Sequence, residues 1–177
     1  MNEGIDLRIL PLFSGLTETE AKGLAASCSF YELEDGEPLF ALGDAPDHLY
    51  VVRSGRLRLS CRARPGVEVV VGEAGRGDIV GEMAILDPAP RSATATAMGR
   101  TEILCLSGSA FARLLNEAHP AARSIVTEIR KDTCGRLRHL DERLDAIFSE
   151  STGADRPKGL FDRLQNIWAA MMGGHDT

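Results

Sequence analysis

Gly81-Glu82-Met83-Ala84-Ile85-Leu86-Asp87-Pro88-Ala89-Pro90-Arg91-Ser92-Ala93-Thr94 is the stretch on which the fold is read. A carboxylate at Glu82 and a guanidinium at Arg91 are separated by a short apolar turn, Met83 to Leu86, and a loop bracketed by Pro88 and Pro90. The planar fork of Arg91 can make two parallel charge-assisted hydrogen bonds to a phosphate, where a lysine would offer a point charge. Glu82 can only accept hydrogen bonds, which suits sugar hydroxyls. If Met83 to Leu86 forms one helical turn, its free backbone N–H groups point at an anion, and Gly81 lets the backbone approach closely. The group that fits these partners carries both a hydroxyl and a phosphate.

The segment resembles the phosphate-binding cassette of the cyclic nucleotide-binding domain family, in the branch of the catabolite activator sensor domain. That pattern runs Gly-Glu-apolar-Ala, a variable stretch, then Arg-(Ser/Thr/Ala)-Ala-Thr. The resemblance implies that Glu82 binds the ribose 2′-hydroxyl and Arg91 the cyclic phosphate. Gly81, Met83, Ala84, Ser92 and Ala93 would add supporting contacts. The ligand it implies is a cyclic mononucleotide, with cyclic AMP favoured over cyclic GMP. Ser92 is the position where a hydroxyl contacts guanine in some relatives, although cyclic AMP binders also carry it.

Outward from the cassette, periodicity gives the architecture. Leu49–Val52 and Leu57–Arg62 alternate apolar and polar residues around Gly55, which predicts a β-hairpin with Gly55 in its turn. Val67–Val71, Ile79–Val80, Ala93–Ala97 and Glu102–Leu106 read as further short strands between glycines. Many short strands with regular turns imply a sandwich or jelly-roll barrel. The resemblance sharpens this to a mainly β fold, an eight-stranded jelly-roll with a short N-terminal helical segment, a cassette helix and a long C-terminal helix. It covers about residues 8 to 148. Ahead of the strands, Thr17 and Glu20 form a capping box before Ala21, Leu24 and Ala25.

At 177 residues, 44% hydrophobic and 26% charged, the chain suits one soluble globular domain. No apolar run reaches the ~18 residues of a membrane span, and the N-terminus lacks a signal-peptide pattern, so a cytoplasmic protein without membrane contact is expected. Cys28, Cys61, Cys105 and Cys134 lack metal-ligand spacing and read as reduced thiols. The net charge of −6 argues against a nucleic-acid surface over the whole domain. Within the stripe Arg53, Arg56, Arg58, Arg62 and Arg64, alternation places Arg56, Arg58 and Arg62 on a water-facing side, without the aromatic residues that stack bases. A jelly-roll metal enzyme needs two or three histidines on its strands, and only His48 lies near the roll. With no nucleophile–base pair and no triphosphate loop, neither an enzyme nor a metal or other cofactor is expected.

From Ser107 the period becomes helical. Phe111, Leu114 and Leu115 mark a short helix, and Pro120 opens a long one that could run ~40 Å to Phe148. Val126, Ile129, Thr133, Leu137, Leu140, Leu144 and Ile147 recur at threes and fours, a coiled-coil seam. It either packs on the chain's own roll or, as favoured here, pairs with a second copy in a homodimer. In the family the same helix closes over the purine. Position from His119-Pro120 then nominates Leu137 and Arg138, with Arg138 able to stack on the base. Composition divides the chain into a domain over 1–148, a polar linker over 149–159 and an amphipathic helix over 160–174. The face Leu160, Phe161, Leu164, Ile167, Trp168, Met171 and Met172 either folds back on the core or docks a partner across residues 160–172. One such helix falls short of a helix-turn-helix, so no DNA is expected as a partner. These features describe a non-enzymatic cyclic nucleotide sensor relaying through its C-terminal helices, with a constitutive dimerisation or interaction module as the alternative.

Overall fold

The computed structural model describes residues 6–64, 67–83 and 89–152. Two 3-10 turns, Leu7–Ile9 and Pro11–Phe13, precede α1, Glu18–Ala26. The capping box forms as expected: Thr17 accepts from the Glu20 N–H while the Glu20 carboxylate accepts from the Thr17 N–H at 2.7 Å. The strands are β1 (Ser29–Leu33), β2 (Pro38–Phe40), β3 (His48–Ser54), β4 (Arg56–Arg64), β5 (Val67–Gly75), β6 (Ile79–Val80), β7 (Thr94–Ala97) and β8 (Thr101–Ser107). Two helices follow, α2 (Gly108–Asn116) and α3 (Pro120–Thr152). Of the expected cassette helix, Met83 to Leu86, Met83 alone is described, as helical, and the rest lies outside the described residues.

Eight strands make two four-stranded antiparallel sheets, ordered β1-β8-β3-β6 and β2-β7-β4-β5. The two-sheet, eight-stranded roll is the mainly β architecture expected. The Gly55 hairpin is not. β3 pairs with β6 and β8, whereas β4 pairs with β5 and β7, so Gly55 turns a corner from one sheet into the other. Its φ of +82° explains the glycine, and a Cβ there would stand 2.6 Å from the Arg100 carbonyl oxygen. Strand–Gly–strand periodicity is the same whether the flanking strands pair or part. β1 and β2, which the periodicity reading passed over, are the edge strands at one end of each sheet. Pro38 is tolerated in β2 because an edge strand has a side that need not donate.

Side-chain alternation builds two cores. Leu49, Val51, Leu104 and Leu106 project from one face of their sheet onto Phe13, Leu24, Phe111, Leu114, Ile125 and Ile129. Val52, Val80 and Ile103 project from the other face and meet Leu57, Ala74, Ala95 and Ala97 of the second sheet. Arg56, Arg58 and Arg62 face water, as alternation predicts. Arg58 and Arg62 lie directly across from Glu73 and Glu68. Such cross-strand charge pairs favour the sheet.

Residues through Ile129 form one compact unit and Arg130–Thr177 a second. Ile129, placed in the coiled-coil seam by periodicity, is 5% exposed in the first unit's core. Val126 and Leu137 are exposed. The helix continues through Thr152, past Ser149 where composition placed the linker. The tail helix lies outside the described residues, as do the side chains of Leu140, Leu144 and Ile147. No described helix is long and apolar enough to cross a membrane.

Candidate ligand site

Arg91 is held where the two sheets meet. Its N–H donates to the Asp44 carbonyl at 3.0 Å and its carbonyl accepts from the Gly43 N–H at 2.9 Å, which fastens the segment before β7 to the loop after β2. Three residues on, Thr94 Oγ1 accepts from the Leu42 N–H at 3.0 Å. The side chain is 5% exposed. Nη2 donates to the His48 carbonyl at 2.7 Å and Nη1 to the Gly81 carbonyl at 3.1 Å. The guanidinium carbon stands 4.5 Å from the Phe40 ring centre and 5.4 Å from that of Tyr50, and those rings stack at 5.7 Å. One sheet supplies Phe40 and the other Tyr50.

Among the described residues nothing in this arrangement neutralises the charge. Among the described residues no carboxylate forms an ion pair with Arg91, and its Nε is buried without a hydrogen-bond partner. Carbonyls and ring faces orient a cation, but an uncompensated buried one remains costly. The chemistry it can perform is to receive an anion.

Gly81 is required for that geometry. Its φ is +78°, and a Cβ there would collide with Arg91 Nη1 and approach the His48 carbonyl to 3.2 Å. Glu82 follows at 6% exposure, a second buried charged side chain. The structure therefore brings Gly81 and Arg91 into contact, with Glu82 next along the chain. Ser92 is exposed and Ala93 half-buried just beyond Arg91, and Met83 is 49% exposed. Ala84 lies outside the described residues. Arg138 belongs to the second unit, is exposed, and donates from Nε to the Cys134 carbonyl at 3.2 Å. A groove of about 380 Å³ lined by Ala41, Leu42, Ser60, Cys61, Arg62, Val67, Glu68 and Thr94 contains none of these residues.

Motif reading missed the aromatic platform and the two carbonyls that aim the guanidinium. The one available signal was alternation, which puts His48, Tyr50 and Val52 on the same face of β3. Burial holds the Tyr50 hydroxyl above its usual range, with the Arg91 charge pulling the other way. Burial likewise pushes the Cys105 thiol, paired across from Tyr50, up to about 11. Cys28 is pushed up to about 12. Both thiols are inert at neutral pH.

The family model described as cyclic nucleotide-binding domain matches residues 31–118. The crystal structure of Thermus thermophilus catabolite activator protein is similar at TM-score 0.66 and 32% identity, covering 79% of this chain and 64% of that one. The N-terminal domain of a transcriptional regulator from Streptomyces coelicolor A3(2) is 32% identical at TM-score 0.59, covering 78% of this chain and 96% of that chain. The regulatory subunit of a cAMP-independent protein kinase A from Trypanosoma brucei is 25% identical at TM-score 0.59, covering 72% of this chain and 43% of that one. The chain belongs to the cyclic nucleotide-binding domain family. It spans 63% of the length of the Thermus cyclic AMP receptor protein and 28% of a cAMP-dependent protein kinase regulatory subunit from Mycosarcoma maydis, less than two thirds of either.

Proposed function

We propose that this chain is a non-enzymatic sensor that binds a cyclic nucleotide, cyclic AMP in preference to cyclic GMP, with Arg91 on the cyclic phosphate and Glu82 on the ribose. The observation that carries the reading is the Arg91 guanidinium, oriented on two carbonyls and two rings, 5% exposed, and without a carboxylate partner among the described residues. A phosphodiester supplies the missing charge, and Nε remains as a donor for it. Gly81, Met83, Ala84, Ser92 and Ala93 support the phosphate in this reading. Arg138 keeps its purine role on the family resemblance alone. Calorimetric titration with cyclic AMP and cyclic GMP tests it. Saturable binding that is tighter for cyclic AMP is expected, and absence of heat with both nucleotides overturns the reading.

The alternative, an interaction module with no physiological nucleotide, draws support from the Trypanosoma relative, described as a cAMP-independent kinase subunit. In the sensor reading the signal passes through the helices after β8. A ligand shifts their arrangement only as far as it binds two arrangements unequally. The homodimer places the exposed Val126 and Leu137 and the following leucines of α3 against a second copy. Leu140→Glu with Leu144→Glu would then bury unpaired charge and yield a folded monomer in sedimentation. A parent protein that sediments as a monomer at ~100 µM removes the dimer, because a functional coiled-coil pair should persist at that concentration.

A further inference from the structure

His48 meets Arg91 through its carbonyl, which accepts from Arg91 Nη2 at 2.7 Å, and its imidazole lies on the same strand face as Tyr50, 6.3 Å away between ring centres, with Tyr50 in turn under the guanidinium. The imidazole Nδ1 stands 2.7 Å from Asp47 Oδ1, which fixes the ring and leaves Nε2 as its second polar atom. The Asp47 carboxylate is held below the usual range, first by the hydrogen bond from His48 and further by the Arg91 charge.

The Asp47–His48 pair, whose His48 carbonyl holds an Arg91 with no carboxylate partner among the described residues, has two charge states. With neutral imidazole it carries −1, which competes with any incoming anion for the Arg91 field. With imidazolium it carries zero, and the competition ends. We propose that Asp47 and His48 form a titratable second half of the anion site, taking up a proton at His48 when a cyclic phosphate binds, so that the site holds its ligand more tightly at pH 6 than at pH 8. This rests on the reading of Arg91 as the phosphate ligand.

The sign follows from linkage. A bound phosphodiester anion favours the imidazolium over the neutral ring, so binding takes up protons and affinity falls as pH rises. Imidazole ordinarily titrates between pH 5 and 8. The neighbouring groups are Arg91 from the cassette, Asp47 and Tyr50 from around β3, and Cys105 and Ser107 across on β8. Asp47 lies below its usual range, Tyr50 above its own, and Cys105 near 11.

The experiment is calorimetry of the full chain with cyclic AMP from pH 6 to 8, repeated in two buffers of different ionisation enthalpy. The dissociation constant is expected to rise about threefold to tenfold across that range, with fractional proton uptake near pH 7. His48→Gln should abolish both. Asp47→Asn should bind more tightly at pH 8, with the slope reduced. As a check independent of whether the variants fold, the imidazole NMR resonance of His48 in the parent should titrate at higher pH with cyclic AMP than without it. A flat profile in the parent, an unchanged slope in His48→Gln, or an unmoved His48 titration overturns the proposal while leaving nucleotide binding intact. Absence of binding at every pH instead overturns the site on which it rests.

Discussion

Arg53 and Arg91 each bury a guanidinium Nε that no hydrogen-bond acceptor meets, and they differ in what faces the rest of the group. Arg53 on β3 has the Glu102 carboxylate at 3.0 Å and is partly open to water. Arg91 is more deeply buried and has carbonyls and aromatic faces in place of a carboxylate. An arginine whose charge is met within the chain joins two strands. One whose orientation is fixed while no described carboxylate meets its charge leaves that charge open to a partner from outside.

Alanine substitutions break or sustain that contrast. Arg91→Ala is expected to cost ~2–5 kcal/mol of cyclic nucleotide binding, the range for removing one partner of a desolvated charge pair, while the protein stays folded. Arg53→Ala should leave the dissociation constant within about twofold and cost ~0–1 kcal/mol of stability, as partly exposed ion pairs do. Titration and chemical denaturation of both variants test the pair together. Equal loss of affinity in the two would remove the contrast, and so would retention of affinity by Arg91→Ala within threefold.

Two glycines repeat the contrast at the backbone level. Both have positive φ, but an added Cβ at Gly55 meets the Arg100 carbonyl at 2.6 Å, while at Gly81 the nearest group is the Arg91 side chain and the closest backbone atom, the His48 carbonyl oxygen, stands 3.2 Å away. Backbone cannot step aside as a guanidinium can. Gly55→Ala should therefore lose more stability, ~2–3 kcal/mol or more, with the site intact. Gly81→Ala should lose only ~1–2 kcal/mol of stability for its backbone conformation yet displace Arg91 and weaken nucleotide binding. Denaturant midpoints and nucleotide titrations on the two variants should rank them in opposite orders, and a common order would show that Gly81 does not hold the site.

How much of this was legible depends on sequence distance. The cassette is contiguous, so Gly81, Glu82 and Arg91 could be named from residue type and spacing. The Thr17–Glu20 box and the start of α3 at Pro120 are local in the same way and were placed correctly. The hairpin expected at Gly55 failed because pairing partners are chosen by distant strands, β8 for β3 and β7 for β4. Phe40 and Tyr50 come from different sheets, and no local pattern joins them. Arg53 and Arg91 carry the same side chain, and only the fold decides which one finds Glu102.

The last substitution is a control on the rest. At the end of α2 the His119 N–H reaches back to the Leu114 carbonyl at 2.8 Å and the Ala118 N–H to that of Leu115 at 3.0 Å, the paired bonds that close a helix through a left-handed residue. That residue is Ala118, with φ of 52°, the one non-glycine among the described residues with positive φ. Its Cβ is strained there, while glycine adopts the conformation freely. Ala118→Gly should raise stability by ~1 kcal/mol, the left-handed penalty less the added flexibility of the unfolded chain. Since it touches neither arginine, the dissociation constant for cyclic AMP should not move. A stabilised variant with unchanged affinity shows that binding does not track global stability, so that losses at Arg91 and Gly81 report the site itself. If affinity changes along with stability, the junction between α2 and α3 is coupled to the ligand, and the effects at Arg91 and Gly81 would have to be measured against that coupling.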